Sequence, residues 1–580
     1  MKTTLIRKNG RLKIKQGYKT IEPFIIRLSE NEFDSAQGKL FLYPLSNSWI
    51  NNGEFDLSAL DNLSKSKKYI IQLNLASPDW WKQEYGHNDL THTLVCEKWT
   101  HDATDFLQAI CEKTKNLKNI IGYQLTCGEA GWNWGFLEEA LTDEKLALIK
   151  KFCGDISLDA DMLLPDKNEA FIAPEHLDAV CAYRKFIALL AFDTIAHFAS
   201  CAKEFAPDKL LGVEFACPFT ATQTALWDQG QLCFDKIFAC SDIDFIASSE
   251  YTFEGTFATT FDSVDLHEKI YFHKASEKDF GAFSCDVLNC LTKGAATSVS
   301  KHFFEENFDK ISAFTSAKEA ICRCKKQQSS QTCVLVSSEG MFCVNKQSGL
   351  NNYLFTDVIK SLSKLCAPVD VFSFADRDKI NLDAYKLIVF VDLFKLSKEE
   401  REQVELLKSN DRTLLWLYAP DYYGNNLAKL QTLTDMSIIR LIGDENSVST
   451  HLGDICFAEL PEPRFFVEDS DVMPLGVYPN TEKTAIGLKK FSSYASCYSA
   501  TGSINGAVLN DIARIAQVDL YSIGKVAVFT DGAFLGAYSY EDTSISLEDK
   551  TYVDLLSGDK LVAKDGKLEL KKGQLLFIKR

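Results

Sequence analysis

Short β-rich runs alternate with longer amphipathic stretches through the first half of the chain, and this alternation restricts the fold more than any single motif. Residues 39–45 and 68–75 read as strands, with Leu57, Leu60 and Leu63 at helical spacing between them. After Trp99, residues Ala103, Phe106, Leu107, Ile110 and Cys111 share one helical face. A strand follows at 120–125, then a long helix with Ile187, Leu190, Ala191, Ile195 and Phe198 on its inward side. Strands at 210–215, 244–247 and 269–272 continue the series. Strands separated by helices run parallel and need cover on both faces, so about 300 residues of such units predict a single (β/α)8 TIM barrel. Its chemistry belongs at the carboxyl ends of the strands.

The rhythm restarts near Thr332. Residues 333–336 and 387–391 are continuously apolar, as parallel strands buried on both faces are. Asp392 closes the second run, Ser397 with Glu400 has the spacing of a capping box, and 413–418 is the next strand. These features predict a small flavodoxin-like α/β domain. It lacks a glycine-rich turn after its first strand, which argues against nucleotide binding. From about Phe465 the chain is β-rich, with turns at Asp531-Gly532 and Ser557-Gly558-Asp559, so a C-terminal β-sandwich is expected. The expected division is a barrel at 1–325, the α/β domain at 330–455 and the β-sandwich at 460–580.

Composition narrows the function. With 63 basic and 80 acidic residues the formal charge is -17, the wrong sign for a nucleic-acid surface. No apolar run approaches the length that crosses a bilayer, and residues 1–10 lack the apolar core of a signal peptide. The 18 cysteines are scattered, and the one tight pair, Cys322 and Cys324, lies in a cationic helical stretch without zinc-site spacing. Free thiols in a reducing cytoplasm are the expectation.

Several segments resemble the family 42 β-galactosidases and their divergent relatives among the glycoside hydrolases. Ser77-Pro78-Asp79-Trp80-Trp81, after what the sequence suggests is the second strand, resembles the proline–tryptophan–tryptophan turn beside their sugar pocket. Residues 119–125 resemble their fourth strand, 243–248 their sixth and 269–272 their seventh. Residues 383–390 and 414–420 are similar to the domain through which those enzymes oligomerise, and 474–478 and 553–558 to their tail. The resemblance spans nearly the whole chain without resting on one motif. It implies a glycoside or oligosaccharide substrate, no cofactor, and a homodimer or homotrimer.

Such enzymes work with two carboxyl groups, one protonating the leaving oxygen and one attacking the sugar. The resemblance puts the acid/base just past the fourth strand, in Thr126-Cys127-Gly128-Glu129-Ala130-Gly131-Trp132-Asn133-Trp134, where Glu129 is the sole carboxylate. Family 42 proper carries asparagine–glutamate there. The bland alternative for Glu129 is a helix N-terminal glutamate favoured by the macrodipole. The nucleophile should follow the seventh strand, where this chain has His273-Lys274, and a lysine cannot take the carboxylate's part. Glu250, Glu254 and Glu277 are the substitutes within reach, with Glu250 preferred and a salt bridge to Lys274 as its structural alternative. The eighth strand departs as well: Ser298–Phe304 replaces the tryptophans and aspartate that the relatives favour.

Trp49, Trp80, Trp81, Trp132 and Trp134 follow expected strands and are candidates for stacking on sugar faces, with core packing as the ordinary alternative. Trp99 and Trp416 are assigned to the core. Asn74, Glu214, Tyr251 and Lys274 complete the expected substrate-binding set. His87, His92 and His101 lack carboxylates at metal-ligand spacing, so no metal is expected. Three functions remain open: a glycosidase using Glu129 and Glu250, a carbohydrate-binding pseudoenzyme on the same scaffold, and an enzyme whose Lys274 and His273 read an acidic or sulfated sugar.

Overall fold

A computed structural model of the protein describes residues 2–21, 24–29, 32, 37–45, 48–128, 132, 141–215, 231–247, 262–443, 445–457 and 460–580. Eight parallel strands close into a barrel: Phe24–Arg27, Leu40–Leu45, Lys68–Asn74, Ile120–Thr126, Leu210–Glu214, Phe245–Ala247, Ile270–Lys274 and Ala296–Ser300. The last pairs with the first through Thr297 and Phe24, which completes the ring. The strand Phe24–Arg27 has four residues, too few for its alternation to stand out in the sequence. Counting it makes Lys68–Asn74 the third barrel strand, so the Ser77–Trp81 turn follows the third strand and not the second.

Side chains alternate along each strand between the barrel interior and the helical shell. Outward residues such as Ile71, Leu73, Leu125, Val213 and Ile246 pack beneath the helices. Inward residues Ile25, Leu40, Leu42, Ile70, Leu210, Phe245, Ile270, Phe272 and Ala296 form a separate apolar core with Leu12 and Ile14. These last two come from Arg11–Gln16, the middle strand of a three-stranded antiparallel sheet at the amino end of the chain. Phe245 and Phe272 stack inside the barrel with centroids 4.3 Å apart. Gly212 makes room for them, because a Cβ there would stand 2.1 Å from the Phe245 ring. Gly212→Ala is therefore expected to cost about 1–3 kcal/mol by overpacking. Urea denaturation checks this, and an unchanged midpoint would show that the ring pair moves aside freely.

The helix Glu97–Thr114 buries Ala103, Phe106, Leu107, Ile110 and Cys111, and Leu177–Phe205 buries Ile187, Leu190, Ala191, Ile195 and Phe198. By length and composition Leu177–Phe205 does reach membrane-spanning size, contrary to the sequence expectation. Here its apolar side packs on the barrel, as the core helix of a globular domain would.

Beyond the barrel, five strands run parallel in the order Val369–Ser373, Thr332–Val336, Leu387–Val391, Arg412–Leu417 and Tyr494–Ser499. Numbered along the chain this is 2-1-3-4-5, the flavodoxin-like order. The expected capping box is present, Ser397 accepting from the Glu400 amide and Glu400 from that of Ser397. The fifth strand arrives only after an antiparallel excursion that includes Ile438–Leu441, Arg464–Val467, Met473–Val477 and Thr484–Lys490. All belong to one 11-stranded sheet, so the expected break at 455–460 falls inside it. Alternating strands with turns look alike in sequence whether they extend a sheet or begin a new one. The remaining β unit has Val526–Thr530, Phe534–Ser539 and Leu575–Lys579 in one sheet, with two strand pairs, Thr543–Ser546 with Lys567–Leu570 and Thr551–Val553 with Lys560–Val562. These enclose a core that includes Val528, Leu535, Ile545, Leu568 and Ile578.

One buried ion cluster joins barrel to sheet. Lys293, the last residue of helix Phe280–Lys293, donates to Asp262 at 2.9 Å, to the Val369 carbonyl at 2.6 Å and to Asp370. Asp262 also accepts from the Val371 amide at 2.7 Å, and Asp370 from Ser330 and Tyr385, each at 2.8 Å.

Candidate active site

At the carboxyl end of the barrel the inward column turns from apolar to polar within single strands. Ile70 is followed by Gln72 and Asn74, Gly212 by Glu214, Phe272 by Lys274, and Ile25 by Arg27. The parallel register sets Gln72 beside Gln124 on the neighbouring strand. Both donate to one oxygen of Glu214, at 2.7 and 3.1 Å. Burial raises the Glu214 carboxyl above the ordinary glutamate range, opposed by the charges of Lys274 and Arg27 and by the two amides. Arg27 pairs with Glu277, which also accepts from the Ser300 amide at 2.7 Å and the Ser300 hydroxyl at 2.5 Å. Residues from the first, third, fourth, fifth, seventh and eighth strands thus meet in one polar layer above the apolar floor.

Glu214 and Lys274, two of the residues expected from the sequence to bind substrate, stand in this layer. Arg27, Gln72, Gln124 and Ser300 were missed. Their signal was the change from apolar to polar at the same level of successive strands, which becomes legible once the register is known. Glu277, expected as one substitute nucleophile, has both oxygens engaged and ties the loop after the seventh strand to the first and eighth strands. Asn74 turns its carbonyl oxygen to the Ala76 and Gly128 amides, at 3.0 and 2.9 Å. It therefore fixes the turn after the fourth strand that leads to Glu129. Glu129, Trp134, Glu250, Tyr251 and Glu254 lie outside the described residues.

His273 and Lys274 point opposite ways, so they do not act together on a sugar. His273 is buried with Asp286 of the neighbouring helix, Nε2 to Oδ2 3.5 Å, and Asp286 accepts from the Ser276 amide at 2.8 Å. His92 accepts from the Ser77 amide at 3.0 Å, and burial, aided by His87 and Lys82, pushes its pKa down to about 3. The neutral ring anchors the turn before Trp80. His101 is exposed beside Asp105. Among the described residues no group of three His, Cys, Asp or Glu side chains is placed to hold a metal.

The tryptophans divide differently from expectation. Trp81 is only 1 % exposed and donates its indole N–H to Asp102 at 2.9 Å, so neither ring face is open to a sugar. Trp132 is fully buried near Phe198, and Trp49 is buried and stacked on Phe106 at 5.5 Å. These three are core residues in this structure, because their rings are enclosed by packed neighbours. Trp80 is half-buried, its indole donating to the Trp49 carbonyl at 3.1 Å and its ring meeting Trp49 edge-on. Trp81→Ala is expected to lose about 3–5 kcal/mol of stability, as for other buried tryptophans, with Trp80→Ala costing less. Paired guanidinium melts check the order, and equal small losses would return Trp81 to the pocket.

The comparisons with known proteins place this architecture. No family model and no curated protein sequence matches the chain. Among solved structures it is similar to the β-galactosidase of Bacillus circulans sp. alkalophilus, at 12% identity and a TM-score of 0.67, covering 96% of this chain and 99% of that one. The β-galactosidase of Rahnella sp. R3 matches at 12% identity and a TM-score of 0.62, over 93% of each chain. An exo-carrageenase of family 42 from Bacteroides ovatus matches at 10% identity and a TM-score of 0.58, over 100% of this chain and 84% of that one. At these identities the likeness is one of fold, and it runs through barrel, α/β sheet and terminal β unit together.

Proposed function

We propose that the chain is a glycoside hydrolase acting on a β-linked, galactoside-like sugar at the carboxyl end of its barrel. The observation that carries this reading is the polar layer of Gln72, Gln124, Glu214, Lys274, Arg27 and Glu277 over an apolar floor, on a scaffold shared with solved β-galactosidases almost end to end. Amides, carboxylates and cations arranged around one mouth suit the alternating donors and acceptors of sugar hydroxyls. In this reading Glu129 protonates the leaving oxygen and Glu250 attacks the anomeric carbon, which requires carboxyl groups about 5–5.5 Å apart. The sheet domain carries a homodimer or homotrimer contact, in keeping with closed symmetry. The described cysteines, all free thiols, support a reducing, cytoplasmic setting.

A screen of aryl β-glycosides tests the reading, with Glu129→Gln and Glu250→Gln as controls. Turnover of at least one β-linked substrate, lost in Glu250→Gln and reduced most for poor leaving groups in Glu129→Gln, is the expected result. Turnover that survives Glu250→Gln would remove it from the mechanism. A second reading, sugar binding without hydrolysis, is favoured by Lys274 standing where the resemblance expects the attacking carboxylate. Its signature is a calorimetric binding signal with no product from any glycoside.

A further inference from the structure

We infer that the cleft between the barrel and the parallel sheet binds a small cationic amine with an apolar body, its ammonium received by Asp235. The cleft has a volume of about 390 Å³ and is lined from both sides. From the barrel come Lys185 and Leu189 of helix Leu177–Phe205, with Leu232 and Asp235 after the fifth strand. From the sheet come Ser337, Ser338 and Glu339, which follow Thr332–Val336, and Phe374, which follows Val369–Ser373. The helix after the third strand adds Glu400. The cleft thus lies at the carboxyl ends of parallel strands, beside the point where the 2-1-3-4-5 order reverses. Open α/β sheets take their ligands at such points. Ligand clefts hold roughly 300 to 1,000 Å³ and favour junctions between domains.

The lining selects the kind of ligand. Leu189, 41 % exposed, stands with Leu232, Phe342 and Phe374 as the apolar wall. Asp235 is set among them and accepts from the hydroxyls of Ser338 and Ser373, one on each oxygen. Hydroxyls orient a carboxylate without neutralising it, and each oxygen keeps a lone pair for a further donor. Burial lifts the Asp235 carboxyl to about 6; the two hydroxyls oppose the rise, and the charges of Asp376 and Glu339 add to it. A buried carboxylate with acids for neighbours gains most from a cation brought to it. The lysines of the lining are directed elsewhere. Lys185 pairs with Glu339 at 2.6 Å, and Lys236 stands over the Phe192 ring, 5.9 Å from its centroid.

Isothermal titration calorimetry of the full chain at pH 7.5 with phenethylamine, 2-phenylethanol and phenylacetate tests this, since the three share a shape and differ in charge. The expected result is at least tenfold tighter binding of phenethylamine than of either other probe, with a preference that falls as salt rises. Asp235→Asn keeps an acceptor for one serine but loses the charge, and should weaken phenethylamine at least tenfold. Leu189→Trp fills the cleft from its exposed rim and should weaken it as much, with melting curves confirming that each variant folds. Equal or tighter binding of 2-phenylethanol or phenylacetate overturns the inference, as does absence of binding by all three. Phenethylamine binding unchanged in Asp235→Asn removes Asp235 as its receptor, and binding unchanged in Leu189→Trp places the amine outside the cleft; either result overturns the inference too.

Discussion

Replacing Lys293 with methionine is expected to destabilise the protein by about 3–5 kcal/mol, because it leaves two buried carboxylates facing each other without their cation. Lys293 is held firmly charged: burial opposes its charge, but Asp262 and Asp370 outweigh burial and raise its pKa. Burial likewise works against ionised Asp370, yet the Lys293 ammonium prevails and holds that carboxyl down to about 2. Burial lifts Asp262 to about 6, with Asp370 adding to the rise and Lys293 opposing it. Without the ammonium both carboxyls lose their main stabilising partner, so their folded pKa values rise above the unfolded ones. A group of that kind favours folding below its unfolded pKa and loses that contribution as pH increases through its folded value. The deficit of the variant should therefore be largest near pH 7 and shrink on acidification toward pH 4. Denaturation of both proteins across that interval checks the magnitude and the slope, and a pH-independent deficit would mean a simple cavity effect. Lys293 and Asp262 belong to the barrel and Asp370 to the sheet, so loss of the contact between the two should precede global unfolding. Limited proteolysis near Gln328 would detect it.

Glu214→Gln is expected to weaken sugar binding, or turnover where it is measured, by about 10- to 100-fold, in line with about 1.5–3 kcal/mol for a hydrogen bond to a charged group. The substitution is nearly isosteric and can keep one oxygen for the amides of Gln72 and Gln124. What it removes is the titratable charge on which Lys274 and Arg27 act. The folded pKa of Glu214 is raised, so its contribution to stability is complete below the unfolded value and declines as pH rises through the folded one. Glutamine mimics the protonated form, and the variant should accordingly be no less stable than the parent at pH 7. The acid limb of the binding profile should lie above the usual glutamate range in the parent and disappear in the variant. A retained acid limb would assign that titration to another group.

The parts of the fold that were legible in the sequence are those written in long periodic runs. The helices Glu97–Thr114 and Leu177–Phe205 show their inward faces directly, and the apolar runs at 333–336 and 387–391 declare strands buried on both sides. Phe24–Arg27 escaped because four residues hold only two inward positions, and one of those is the site arginine. The tryptophans misled for a related reason. A strand-end position says that a residue is near the mouth, but whether its ring faces the mouth or the shell depends on packing. Trp81 is turned by the Asp102 acceptor and Trp132 by the space beside Phe198. The Gln72–Gln124–Glu214 triad joins residues far apart in the chain, and the barrel register brings them together. His273 and Lys274 are adjacent, and strand alternation drives them to opposite sides.

The delayed fifth strand of the parallel sheet also bears on synthesis. Arg412–Leu417 leaves the ribosome with an open edge, and its partner Tyr494–Ser499 emerges only after the whole antiparallel excursion has been translated. During that interval the barrel can already close, since its last strand, Ala296–Ser300, precedes the sheet entirely. The sheet must wait with the edge carrying Leu414 and Trp416 unpaired, an edge that invites strands from other chains. The nascent protein is therefore most exposed to misassembly, and to chaperone capture, between the fourth and fifth parallel strands.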